Sequence, residues 1–224
     1  MTVTPRPAPS GKTSPGTAEA DLAFLRRIVE GGSGRGQIPM GVLFLAGGLL
    51  YGFQCLFHLG QAAGIVRIPD WASLIFVVSV TLVMLAVVAW AVHYGRKFGL
   101  KSSAGPTVSR AMDGAFSATG AANLAIIVVF GVGAARDNDF AIWLYYPAIV
   151  FAFQSIAWFV AWTLKRKPWM GMVALGHWST AVALGLLVRD PIAYTWVCAA
   201  ALFLLFALPG WIILREARAA QAAA

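Results

Sequence analysis

The amino-acid sequence predicts an all-α integral membrane protein, a bundle of six transmembrane helices with an N-terminal cytoplasmic amphipathic helix. Its composition is the first indication. Of the 224 residues, 59% are hydrophobic and 12% are charged, whereas soluble proteins average about 45–50% apolar and about 25% charged residues. The second indication is that the apolar residues gather into six runs of roughly the length, about 20 residues, that a helix needs to cross the hydrocarbon core.

These runs divide the chain into a short series of segments. We expect a disordered cytoplasmic tail at 1–20, an amphipathic helix and glycine-rich hinge at 21–37, a transmembrane domain at 38–215 and a cytoplasmic tail at 216–224. The predicted spans are about Pro39–Leu59, Trp71–Val92, Ala115–Ala134, Trp143–Thr163, Gly171–Val188 and Ile192–Leu214.

The basic residues predict the orientation. With a cytoplasmic N-terminus, all 17 Lys and Arg residues except Arg67, Arg136 and Arg189 fall on the cytoplasmic side. Such a bias is the positive-inside pattern, and it places both termini in the cytoplasm. The net charge of +8 therefore indicates contact with anionic lipids at the cytoplasmic face and not a nucleic-acid partner.

The N-terminal quarter has a further pattern. In "DLAFLRRIVEGG" the apolar residues share one helical arc and the charged residues lie opposite, as in helices that lie in the headgroup layer. This stretch, followed by "GGLLYGFQCLFH", resembles the opening of uncharacterised bacterial multi-pass membrane proteins. The resemblance places the chain in the bacterial inner membrane and implies no activity.

Small residues and a short internal sequence similarity suggest how the spans pack. Gly48 and Gly52 are four residues apart, and Gly114, Ala118 and Ala122 continue that spacing in the third span. Such residues let helices approach closely, within one chain or in a homo-oligomer. "FQCLFH" at 53–58 also aligns with "FQSIAW" at 153–158, either by chance or as part of the inverted repeat found in many transporters.

Polar side chains inside the spans are the candidates for a site. Asp, Glu, Lys and Arg are absent from the span interiors, and buried ionisable groups are typical of ion-coupled transporters. Asn123, Gln154 and His177 fall at similar depth on the third, fourth and fifth spans, so they could form one polar pocket. These three side chains could instead make hydrogen bonds between helices. A secondary group of polar residues contains Gln54, His58 and Ser79.

The sequence supports no catalytic residues, metal site or cofactor. His58 and His177 lie at different depths, which argues against a haem with two histidine ligands, and Cys55 and Cys198 fall in apolar runs that suggest neither a disulfide framework nor a zinc site. We therefore expect a non-enzymatic accessory or regulatory membrane protein, with a protein partner or self-association. The alternative is a permease or channel for a small uncharged solute.

Overall fold

The computed structural model describes residues 34–98 and 107–222. This part of the chain is a bundle of six helices, each long and apolar enough to cross a membrane, so the predicted fold class is confirmed. The predicted tail at 1–20 and the amphipathic part of 21–37 lie outside the described residues. The helices are α1 (Gly34–Ala62), α2 (Asp70–Lys97), α3 (Thr107–Asp137), α4 (Phe140–Lys165), α5 (Pro168–Leu187) and α6 (Pro191–Ala222).

Several helices extend beyond the spans that hydropathy predicts. α1 begins at Gly34, inside the segment expected to be a hinge, and α3 begins at Thr107 and not at Ala115. At the other end, α6 continues to Ala222 through most of the expected C-terminal tail. Its last residues are rich in Ala, Arg, Glu and Gln, which are strong helix formers. Hydropathy marks only the hydrocarbon-crossing part of each helix, so the polar turns are not included.

Several helix ends have capping residues that the sequence supplies. The Asp139 carboxylate accepts a hydrogen bond from the backbone N–H of Ala141 at the start of α4, and the Asp190 side chain caps α6 in the same way. Proline opens α5 and α6, where the missing N–H would be unpaired in any case. α4 ends at Lys165, and the next residue, Arg166, is in a left-handed conformation with φ of 55°.

Four helices form the centre of the bundle and two lie outside it. α1 packs against α6, α6 against α5 and α5 against α4, while α2 packs mainly on α1 and α3 mainly on α4. We call the end where α1 begins and α6 finishes the tail end, and the opposite one the far end. At the tail end Phe44 of α1 contacts Phe116 of α3, Trp158 of α4 and Phe206 of α6, with ring centroids 5.3–5.5 Å apart.

Glycines bring α1 and α6 into backbone contact. A Cβ at Gly48 would overlap the backbone of Ala207 and lie 2.6 Å from the carbonyl oxygen of Leu202. A Cβ at Gly210, on the facing helix, would lie 2.8 Å from the carbonyl oxygen of Gly41. Gly52 packs against a phenylalanine ring of α6. The two predicted packing glycines thus lie inside the chain's own α1–α6 interface.

α6 contains a turn of π-helix at Leu202–Ala207. There the backbone N–H of Leu208 donates to the carbonyl oxygen of Phe203, five residues earlier. Pro209 follows directly and is buried. Because proline has no N–H and its ring clashes with the carbonyl four residues before it, an undisturbed α-helix is unfavourable here. The wider turn relieves that clash.

Candidate functional site

His177 lies at the centre of the bundle, on α5, and its side chain is fully buried. Aromatic rings from two other helices surround it: Phe206 of α6 at 5.0 Å, Phe151 of α4 at 5.6 Å and Trp158 of α4 at 6.5 Å between ring centroids. We call these three rings and the histidine the aromatic cage. The cage is built where α4, α5 and α6 meet, and the π-helical turn carries Phe206 into it.

The histidine ring has one nitrogen paired and one unpaired. Its Nδ1 lies 2.8 Å from the carbonyl oxygen of Val173, one turn earlier on α5. A carbonyl only accepts, so Nδ1 carries the proton and Nε2 of the neutral ring presents a lone pair. That Nε2 atom is buried and has no hydrogen-bond partner among the described residues.

The indole of Trp158 provides the complementary group. Its Nε1–H is a donor, is also buried and likewise has no partner. The Trp158 and His177 rings are nearly parallel, at 26°. An unpaired buried polar group costs about 1–3 kcal/mol. The cage therefore holds one buried donor and one buried acceptor without a partner among the described residues.

Gln154 belongs to the same region. It lies on α4, three residues after Phe151 and four before Trp158, and this spacing puts all three on one side of the helix. The Oε1 atom of Gln154 is buried and unpaired. Gln154 thus lies on the side of α4 that carries two of the rings around His177.

Asn123 has a different neighbour. Its side chain, on α3, approaches the hydroxyl of Tyr146 on α4, and Tyr51 of α1 lies near that hydroxyl. The Oδ1 atom of Asn123 is buried and unpaired. Asn123 therefore takes part in a polar group between α1, α3 and α4, and its nearest described polar contact is a tyrosine that the sequence analysis did not select.

The predicted secondary group separates into three positions. His58 contacts the Oε1 atom of Gln61 at 3.0 Å, and the amide of Gln61 donates to Ser73 at 2.6 Å, which joins α1 to α2 at the far end. Ser79 donates to a carbonyl of its own helix and is exposed. Gln54 has a buried, unpaired Oε1 atom. Only His58 thus contributes to a bond network between helices.

Sequence reasoning missed the aromatic part of the site. Trp158 could have been found, because it follows Gln154 at helical spacing. Phe206 gave no comparable signal, since its direction depends on the π-helical turn. Tyr194 of α6 was also missed, and its hydroxyl donates to the carbonyl oxygen of Leu144 on α4 at 2.7 Å.

The described groups of the site are hydrogen-bond donors, hydrogen-bond acceptors and aromatic rings. Within residues 34–98 and 107–222, no group of three or more His, Cys, Asp or Glu side chains could hold a metal ion. Comparisons of the chain with protein-family models, with curated proteins and with solved structures found no match in any of the three.

Proposed function

We propose that this multi-pass membrane protein is a non-enzymatic accessory or regulatory component of the bacterial inner membrane. Both termini would lie in the cytoplasm, where the basic segments meet anionic lipid. The protein would act by binding another membrane protein through α3.

The observation that carries this proposal is an uncovered face of α3. Gly114, Ser117, Ala118 and Ala121 are all exposed and occupy positions i, i+3, i+4 and i+7, so they share one side of the helix. We call them the α3 small-residue face. A Cβ built on Gly114 would meet no described atom within 4 Å, whereas α6 occupies the space beside Gly48.

Among the described residues, α3 is also the span that the rest of the bundle covers least. No residue in its most apolar stretch, within Arg110–Asp137, is buried in the bundle, whereas half of the corresponding stretch of α6 is buried. Helices associate in lipid through close van der Waals packing of small residues. A second helix laid on this face could approach as closely as α1 approaches α6.

The core supports the non-enzymatic part of the proposal. His177 is enclosed by three aromatic rings, and its Nδ1 proton is engaged by its own helix. We therefore assign the cage a role in packing and hydrogen bonding and not in proton transfer.

In-membrane photo-crosslinking tests the partner proposal. A photoreactive side chain replacing Ala118 should give an adduct of defined mass with a second protein, and one replacing Leu186 should not. Leu186 is a suitable control because it is 81% exposed on α5, outside the proposed interface. Gly114→Leu should abolish the Ala118 adduct.

A matched glycine separates the interface from folding. Gly185→Leu on α5 also adds a side chain where nothing lies within 4 Å, so it should leave the adduct intact. Equal adducts from both crosslinker positions, or association of the chain only with itself, would contradict the accessory role.

A permease for a small uncharged solute is the second candidate. Gln54 and Gln154 occupy matching positions in the "FQ" echo of the two halves, and each has a buried, unpaired Oε1 atom. Paired positions of this kind favour an inverted-repeat transporter. In liposomes, uptake of urea or glycerol that Gln154→Leu abolishes would support transport. Wild-type uptake equal to that of empty liposomes would exclude both solutes as substrates.

A further inference from the structure

The two cysteines of the chain meet inside the bundle. Cys55 lies on α1 and Cys198 on α6, and both are free thiols. Cys55 packs against the buried far-end cluster that contains Cys198 and Tyr194. The two thiols are close enough for a hydrogen bond between their side chains.

The α1 and α6 backbones are in contact about two turns before Cys55, at Gly48. Gly48, Gly52 and Cys55 follow one another at intervals of four and three residues, so they lie on the same side of α1. The first two are in contact with α6, at Leu202 and Phe203. A disulfide needs Cα atoms about 4.4–6.8 Å apart. Because each Cα lies about 2.3 Å from its helix axis, two helices with axes about 8–10 Å apart place facing Cα atoms about 3.4–5.4 Å apart. The packing of Gly48 and Gly52 against α6 is consistent with such a separation on this side of α1.

We propose that Cys55 and Cys198 are a redox pair, which a membrane-soluble quinone oxidises to a disulfide between α1 and α6. Two S–H bonds break and one S–S bond forms. The two electrons and two protons pass to the quinone, which becomes the quinol. A dithiol reductant reverses the reaction by thiol–disulfide exchange.

The surroundings of the thiols favour a lipid-soluble oxidant. Cys198 is 7% exposed and its cluster includes Phe151, Leu184 and Ala201, which exclude water. Cys55 is only half-buried, so it is the thiol that a quinone in the bilayer reaches first. The expected disulfide fixes α1 to α6 one turn before the π-helical segment Leu202–Ala207.

The pair can be tested in the full-length protein in lipid nanodiscs. The reduced protein is exposed to decylubiquinone, denatured, and treated with a maleimide polymer that adds mass at each free thiol. We expect the doubly labelled species to be replaced by an unlabelled one, with one quinol formed per chain. Dithiothreitol should restore double labelling, and peptide mass spectrometry should identify an intrachain Cys55–Cys198 link.

A relocated thiol provides the matched control. Cys198→Ala combined with Val197→Cys keeps two thiols but turns one of them about 100° around α6, so this variant should stay doubly labelled. The proposal would be overturned if the wild-type protein stayed doubly labelled after quinone treatment, or if the relocated variant were oxidised to the same extent. It would also be overturned if the unlabelled cysteines carried sulfur–oxygen bonds and not a disulfide.

Discussion

His177 and Val173 are joined by a hydrogen bond of 2.8 Å within one turn of α5. This contact fixes the imidazole tautomer and directs the lone pair of Nε2 into the aromatic cage. The side chain thus satisfies one of its nitrogens locally and leaves the other in the protein core. Such an arrangement adds little to folding, which makes it testable.

The stability of His177 variants should depend on volume more than on polarity. His177→Leu removes an unpaired buried nitrogen and keeps most of the volume, so the free energy of unfolding should change by less than about 1 kcal/mol. His177→Ala leaves a cavity and should cost about 2–5 kcal/mol, as for other large buried side chains. Steric-trap unfolding in bicelles measures both. An equally large loss in both variants would mean that Nε2 is hydrogen-bonded in the native protein.

Alanine substitutions at two neighbouring glycines of α1 should have opposite effects on the free energy of unfolding. Gly48→Ala forces a Cβ into the backbone of α6 and should cost about 1–3 kcal/mol of unfolding free energy. Gly47→Ala meets only the end of Met84 at 3.7 Å, and should be neutral or stabilising by up to about 1 kcal/mol. Thermal unfolding in one detergent allows direct comparison, and equal shifts in the two variants would argue against backbone contact at Gly48.

The hydroxyl of Tyr194 should make a small, measurable contribution. Tyr194→Phe removes its bond to the carbonyl oxygen of Leu144 and should lower the free energy of unfolding by about 0.6 kcal/mol, the average for interhelical bonds in membranes. Tyr145→Phe serves as the control because Tyr145 is exposed on α4. Equal effects from both tyrosines would indicate that the Tyr194 bond contributes nothing specific.

Labelling of single cysteines can test the membrane orientation that the basic residues predict. In a background with Cys55 and Cys198 replaced by alanine, Ile65→Cys in the α1–α2 loop should react with an impermeant maleimide on intact cells. Ile65 is 82% exposed. Ser10→Cys in the N-terminal tail should react only after the membrane is opened. The reverse pattern would invert the assignment of both ends.

Length and hydropathy were enough to predict the six helices and not enough to predict their rotation. A span must be apolar toward lipid and toward its neighbours, so the sequence does not indicate which side faces inward. Trp158 and Trp178 show the difficulty: the first is fully buried and the second is 58% exposed. The six predicted spans were therefore confirmed, while the polar pocket stays a prediction.

The candidate site shows the same difficulty. Gln154 lies on the side of α4 that carries two of the rings around His177, and α4 and α5 are adjacent along the chain. Asn123 lies at a similar depth, but the rotation of α3 brings it to Tyr146. The proximity of Cys55 to Cys198 could not be read from two residues so distant in sequence, because it depends on the α1–α6 pairing.

The π-helical turn has a geometric consequence for the whole of α6. At about 100° per residue, Gly210 in an uninterrupted α-helix would point about 120° away from Cys198. The extra residue of the wider turn reduces that difference to about 20°, so both residues can face α1 although they lie at opposite ends of the bundle. If one residue were deleted from Leu202–Ala207 and the turn became α-helical, Cys198 and Gly210 would still face the same side. Deletion of one residue from the middle of α1 would instead rotate half of its glycines toward lipid.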